Sequence, residues 1–282
     1  MGDPAQPALL LIPGLGGQLT GWPEKFCADL AARGFFVVRF DNRDAGLSTA
    51  IEGGPVADPM AVYLGDRSSV SYTLEDMADD AAGLIDALGI GAAHLVGVSM
   101  GGMIAQTLAA RHPSKTLSLC SISSTTGESS VGQPTADAFE LLARPPATTR
   151  EEYVEADMAS HQVLGSRLYP TDAAEMRAKA AHKYDRGFNP EGAARQLCAI
   201  LASGDRTASL AKVTAPTLVV HGTEDELIQP SGGEATAKAI PGAELLMIEG
   251  MGHDLPSGVW PRVVDAIVAN AARAGTGRRE LP

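Results

Sequence analysis

Six apolar runs of strand length punctuate the chain: ALLLIP at 8–13, FFVVRFD at 35–41, AHLVGVS at 93–99, TLSLCSIS at 116–123, TLVVHG at 217–222 and ELLMIEG at 244–250. They are continuous rather than alternating, the pattern of strands buried on both faces of a parallel sheet. Between most of them the apolar positions take up a helical period, at about 21–33, 73–88, 101–112, 232–239 and 259–273. Strand and helix in repetition predict a doubly wound α/β sheet with right-handed crossovers.

One interval breaks the rhythm. Residues 124–213 carry helical patterns (ADAFELLA, REEYVEADMASHQVLGS, DAAEMRAKAAHKY, EGAARQLCAILAS) and no strand run. The expected organisation is therefore a core over 1–123 and 214–274, a helical cap over 124–213, and a frayed tail over 275–282. Phe139, Leu141, Leu142, Tyr153, Met158, Leu164 and Leu168 recur at helical spacing in the insertion. They are expected to form mostly its own core and in part an apolar pocket wall.

Candidate chemistry sits where strands end. Residues 97–101 read G-V-S-M-G, a G-x-S-x-G pattern fed by a strand and left by a helix. A nucleophile on so tight a turn takes strained backbone angles, and Gly97 and Gly101 leave room for it, while Gly102 lets the helix lie close to the sheet. A serine hydroxyl needs a base to take its proton, and the base needs an acid to fix its tautomer. Asp225 follows TLVVHG and His253 follows ELLMIEG, each in a loop at the carboxyl end of a strand. The order Ser99, Asp225, His253 is nucleophile, acid, base. Glu224 is the alternative acid. Among competing histidines, His94 precedes a buried strand, and His112 ends a helix beside Pro113. His161 and His182 lie in the insertion, and His221 is better placed to orient the Asp225 loop than to do chemistry. Asp254 is expected to point away from the site. Two backbone amides are expected to receive a tetrahedral oxyanion: Met100, at the start of the helix, and Leu15, in the PGLGGQ loop after the first strand. That loop lacks both G-x-G-x-x-G and a following Lys-Ser/Thr, which argues against a nucleotide site.

Composition narrows the partners. With 34 acidic against 22 basic side chains, the net charge of −12 disfavours nucleic acid and anionic membranes. Asp58, Asp66, Glu75, Asp76, Asp79, Asp80 and Asp86 crowd one stretch without the spacing of a calcium loop, and Thr73 there reads as a helix N-cap. Cys27, Cys120 and Cys198 are odd in number and far apart, as in a reducing compartment. No run reaches the roughly 18 apolar residues of a membrane span and no secretory pattern opens the chain, so a cytoplasmic location is expected.

These residues resemble those of α/β-hydrolases of the serine esterase type, and within them the chain is similar to the aclacinomycin methylesterase-like carboxylesterases. The likeness rests on GDPAQPALLLIPG, GW at 21–22, VVRFDNRDAGLST, HLVGVSMGG, APTLVVHGTEDELIQP and GMGHDLPSGV, which cover the sheet and leave out the insertion. It implies Ser99 as nucleophile, His253 as base, Asp225 as acid and the Leu15 and Met100 amides as oxyanion hole. The expected activity is hydrolysis of small to medium carboxylic esters, methyl esters among them, through an acyl-enzyme, without metal or organic cofactor. Thioesterase, lactonase, perhydrolase and carbon–carbon hydrolase chemistry use the same triad, and a non-catalytic small-molecule receptor is the alternative of another class. Haloalkane dehalogenases and epoxide hydrolases place an aspartate where this chain has Ser99. A small-molecule ester is the expected partner; oligomeric state stays open, a homodimer being one option. The chain departs from the family in two ways: Pro13-Gly14 stands where many relatives have His-Gly, and the first buried strand lies close to the start of the sequence, where relatives usually carry two earlier strands.

Overall fold

In a computed structural model, which describes residues 1–276, the strand runs become six strands. These are β1 (Ala8–Ile12), β2 (Phe36–Arg39), β3 (Ala93–Val98), β4 (Thr116–Ile122), β5 (Thr217–Gly222) and β6 (Glu244–Ile248). All pair in parallel in the order β2-β1-β3-β4-β5-β6. Consecutive residues of β1 point to opposite faces: Leu10 and Ile12 join one core cluster, Leu9 and Leu11 the other, and none is more than 2% exposed. Burying each side chain contributes about 1.5–3 kcal/mol, which is why this run carries no polar residue. The edge strands differ. Phe36, Val38 and Arg39 of β2 are half-buried, and in β6 Glu244 and Leu245 are exposed, because an edge strand has one neighbour and less helix cover.

Eleven helices among the described residues surround the sheet. On one face lie α1 (Glu24–Ala32) and α11 (Trp260–Thr276), packed through Phe26, Leu30, Val263 and Ile267. On the other lie α3 (Leu74–Ala87), α4 (Met100–Arg111) and α10 (Ser231–Ala239), packed through Met77, Ile85, Ile104 and Ala239, with Ile240 buried just beyond the end of α10. A short α2 (Pro59–Tyr63) is capped by Asp58 accepting from Ala61 N–H at 2.9 Å. The acidic stretch is consumed in the same way. Asp76 accepts the Thr73 N–H at 2.8 Å, Asp80 pairs with Arg43 at 2.6 Å, and Asp79 meets Arg111 and His112.

Between β4 and β5 the chain makes α5 (Ala136–Ala143), α6 (Arg150–Leu164), α7 (Ala173–Gly187), α8 (Pro190–Ser203) and α9 (Thr207–Leu210). The first three bury little of themselves, one residue each: Ala138, Val154 and Ala180. The expectation that the apolar residues here form mainly an internal core is therefore corrected: Phe139 is 41% and Leu168 61% exposed. By contrast α8 is part of the body, with Cys198 and Ala202 packed on Val62 of α2 and Ala199 in the main core. The frayed tail expected at 275–282 begins in α11, which runs to Thr276, and residues 277–282 lie outside the described residues.

Candidate active site

Sheet order reverses between β1 and β3, since β1 leads outward to β2 while β3 leads the other way to β4. The loops leaving these two strands diverge, and a crevice opens at their carboxyl ends. Ser99 stands there, between β3 and α4, with φ 56° and ψ −123°, a conformation that costs on the order of 1–3 kcal/mol in a non-glycine residue. Its neighbours over-determine it: its N–H donates to Ile122 O at 2.9 Å, and its carbonyl accepts from Met103 N–H at 3.1 Å and Ser124 Oγ–H at 2.9 Å. The glycines fit the turn for steric reasons. A Cβ on Gly97 would lie 2.0 Å from Gly101 O, one on Gly101 2.1 Å from Ile12 O, and one on Gly102 2.7 Å from Ser124 Cβ.

His253 and Asp225 come to Ser99 from loops after β6 and β5. His253 Nε2 is 3.0 Å from Ser99 Oγ, and Nδ1 lies 2.8 and 3.0 Å from the two Asp225 oxygens. Nδ1 beside a carboxylate is the N–H donor, which leaves the Nε2 lone pair to accept the serine proton. Asp225 is buried and also accepts from the N–H groups of Leu227 at 3.0 Å and Ile228 at 2.9 Å. Burial by itself would raise its carboxyl, but the electrostatic attraction to His253 and the hydrogen bonds of His221 and His253 hold it well below the usual carboxylate range. His221 Nε2 donates to Ile228 O at 2.7 Å and sits 3.4 Å from Asp225, so it braces the acid's loop without reaching Ser99. Glu224 faces Arg167 instead, at 4.0 Å.

The remaining histidines lie away from the triad. His94 is buried inside β3 against Ser118, and burial draws its pKa down to about 4. His112 pairs with Asp79 at 2.6 Å, and neither His161 nor His182 lines the cleft. Asp254 turns away from Ser99 and accepts from Ser166 N–H at 3.0 Å.

Leu15 and Met100 lie on the two sides of Ser99. Gly14 is so close that its Cβ would stand 3.3 Å from Ser99 Cβ, and the Met100 N–H opens α4. Among the described residues neither the Leu15 nor the Met100 amide is taken up by a turn or helix bond. Support of the Pro13–Gly17 loop comes from places the sequence does not reveal. Asn42 Nδ2 donates to Pro13 O at 3.1 Å, and Gln196 Oε1, on α8, accepts the Gly16 N–H at 2.7 Å.

Above Ser99 opens a cleft of about 1960 Å³, walled by Leu15, Met103, Phe139, Leu142, Tyr153, Leu197 and Ile228 among others. Of the insertion residues singled out by spacing, Phe139, Leu141, Leu142 and Tyr153 line it, whereas Met158, Leu164 and Leu168 do not. The lining is mainly apolar. No three His, Cys, Asp or Glu side chains group as metal ligands among the described residues, and none of their helices is long and apolar enough to cross a membrane.

Comparison with known proteins agrees with the fold. Residues 7–256 match a family model described as alpha/beta hydrolase fold. The chain is 31% identical over 297 residues to rhodomycin D methylesterase DauP of Streptomyces sp. (strain C5), covering 97% of this chain and 94% of that protein. It is also 31% identical over 298 residues to rhodomycin D methylesterase DnrP of Streptomyces peucetius, with the same coverage of 97% and 94%. Among solved structures, the enol-lactonase from Burkholderia xenovorans LB400 superposes with a TM-score of 0.69 at 25% identity, covering 98% of this chain and 94% of that one.

Proposed function

The chain belongs to the α/β-hydrolase fold family, and from that premise we propose that it hydrolyses carboxylic esters through an acyl-enzyme formed on Ser99. The observation that carries this reading is the relay Ser99 Oγ to His253 Nε2 at 3.0 Å and His253 Nδ1 to Asp225 at 2.8 Å, on a strained turn at the floor of the cleft.

Ser99 Oγ attacks the ester carbonyl carbon while its proton passes to His253 Nε2. The carbonyl oxygen becomes an oxyanion that receives the N–H groups of Leu15 and Met100, each such donor being worth roughly 3–4 kcal/mol. Collapse breaks the bond to the alcohol oxygen, which takes the proton from His253. A water molecule, deprotonated by the same nitrogen, then attacks the acyl carbon, and collapse returns the proton to Ser99 and frees the acid. Asp225, ionised because its carboxyl is held low, stabilises the transient imidazolium.

We assign 124–213 as a cap over this site, with its last part, α8 and α9, fused to the core. The relatives named as rhodomycin D methylesterases, together with a cleft larger than the roughly 1,000 Å³ upper range of drug-sized sites, support a methyl ester of a bulky acid. The three free, buried cysteines support a reducing, cytoplasmic setting.

The test is Ser99→Ala in purified protein, with p-nitrophenyl butyrate and methyl esters of bulky acids as substrates. Loss of hydrolysis, together with loss of fluorophosphonate labelling, is the expected result; an active Ser99→Ala protein overturns the reading. Preference for p-nitrophenyl acetate over every bulky methyl ester would refute the substrate assignment alone.

A further inference from the structure

The end of α6 lies across the loop that carries His253. Three successive residues of that loop, Gly252, His253 and Asp254, bond to two residues of the insertion, Leu164 and Ser166. His253 N–H donates to Leu164 O at 2.7 Å, Gly252 N–H donates to Ser166 Oγ at 2.9 Å, and Ser166 N–H donates to Asp254 Oδ1 at 3.0 Å. The Ser166 hydroxyl donates to the same Asp254 oxygen. One hydroxyl oxygen thus accepts from the residue before His253 and donates to the residue after it. The approach depends on glycine, because a Cβ on Gly252 would stand 2.4 Å from Leu164 O. Ser166 is 5% exposed, so water does not replace these bonds if they are lost.

We infer that Ser166 and Asp254 are a positioning pair for His253, and that the insertion aligns the base as well as enclosing the substrate. The inference rests on the reading of His253 as general base. Bracketed at Gly252 and Asp254, the His253 backbone has little freedom to rotate, and its ring is delivered to Ser99 at hydrogen-bond distance. A displacement of about 1 Å in such a contact is enough to cost on the order of a hundredfold in rate. No neighbour within the sheet does this work: Gly252 N–H and His253 N–H each find their acceptor in the insertion.

The experiment compares Ser166→Ala, Asp254→Ala, Asp254→Asn and the double alanine variant in the full chain. Steady-state hydrolysis of p-nitrophenyl butyrate and the rate of Ser99 labelling by a fluorophosphonate are the readouts. Ser166→Ala and Asp254→Ala are expected to lower kcat roughly ten- to a hundredfold with KM nearly unchanged, and to slow labelling in parallel. Asp254→Asn keeps an oxygen acceptor for Ser166 and is expected to recover most of the loss. The double variant is expected to be no worse than the poorer single one, since both changes remove one device. Folded Ser166→Ala and Asp254→Ala proteins with wild-type kcat, or with the loss confined to KM, overturn the inference, as does an Asp254→Asn as slow as Asp254→Ala. If Asp254→Ala does not fold, Ser166→Ala, which removes a single hydroxyl, decides it. The Ser99→Ala result separates the two readings. An active Ser99→Ala removes the esterase mechanism, whereas an inactive one beside unaffected Ser166 and Asp254 variants removes only the positioning pair.

Discussion

Gln196 on α8 accepts the Gly16 N–H through Oε1 at 2.7 Å and donates from Nε2 to Arg43 O at 2.7 Å, so one fully buried carboxamide ties the loop after β1 to the loop after β2. Leu15, the amide assigned to the oxyanion, is the residue before Gly16. Gln196→Leu keeps the volume and leaves two half-buried backbone groups, Gly16 N–H and Arg43 C=O, without their partner, at a cost of up to about 1–3 kcal/mol each. It is expected to lower kcat more than it raises KM, up to the roughly 10²–10³-fold that a lost oxyanion donor costs. Affinity for a boronic acid transition-state analogue should fall with kcat. An unchanged kcat in a folded Gln196→Leu protein would show that the loop holds its shape without α8.

The acid can be assigned by a pair of isosteric changes. Asp225→Asn removes the acceptor that fixes the His253 tautomer, and a loss on the order of 10⁴-fold in kcat is expected by analogy with the protease triad. Glu224→Gln, in a residue that faces Arg167, is expected to leave kcat within about a factor of two. The reverse ranking would move the acid to Glu224.

Alanine substitutions in the nucleophile turn should rank by what the new methyl meets. At Gly97 and Gly101 it meets backbone, at 2.0 and 2.1 Å, and nothing there can rotate aside. At Gly102 it meets the Ser124 side chain at 2.7 Å. Urea unfolding is expected to show losses beyond the ~1–3 kcal/mol of ordinary overpacking for the first two and within that range for Gly102→Ala. Equal losses at all three positions would contradict the steric account.

What the sequence discloses follows from what periodicity encodes. Burial on both faces is written into β1 as an unbroken apolar run and into β3 as one interrupted only by His94, and the strand-end positions of Ser99, Asp225 and His253 follow once the strands are found. Edge position is not written there: ELLMI reads like a central strand, yet Glu244 and Leu245 are exposed. The splints are less legible still. Ser166 lies 88 residues from Asp254, and Gln196 lies 180 from Gly16, in an insertion whose helical period says nothing about which polar residue turns inward. Pro13 hides its support for the same reason, since Asn42, which donates to its carbonyl, carries no signal beyond its place in DNRDAG.

Two buried carboxylates join the β2 loop to the insertion, and they make its docking sensitive to acid. Asp44 accepts two bonds from Arg195 at 2.8 Å, one from Tyr72 Oη–H at 2.7 Å and one from Ile51 N–H at 2.8 Å. Asp41 accepts from Arg186 of α7 at 2.7 and 3.1 Å. Burial works to raise both carboxyls, but the arginines and backbone amides outweigh it and hold each below its ordinary 3.8. A carboxyl whose folded value is depressed contributes stability that is fully present above the unfolded value and is lost as pH falls through the folded one. Urea stability should therefore take no slope from these groups between pH 7 and 5 and should fall steeply below about 3.8. In Asp44→Asn the carboxylate is gone at every pH and Arg195, 8% exposed, is left without its buried countercharge. The variant is expected to be less stable by roughly 3–5 kcal/mol at pH 7, and the gap to wild type should narrow only as pH drops below about 3.8. A gap that stays constant down to pH 2.5 would mean that the Asp44 carboxyl titrates alike in the folded and the unfolded chain and is not held low by Arg195, and the link between this ion pair and the docking of α8 would have to be given up.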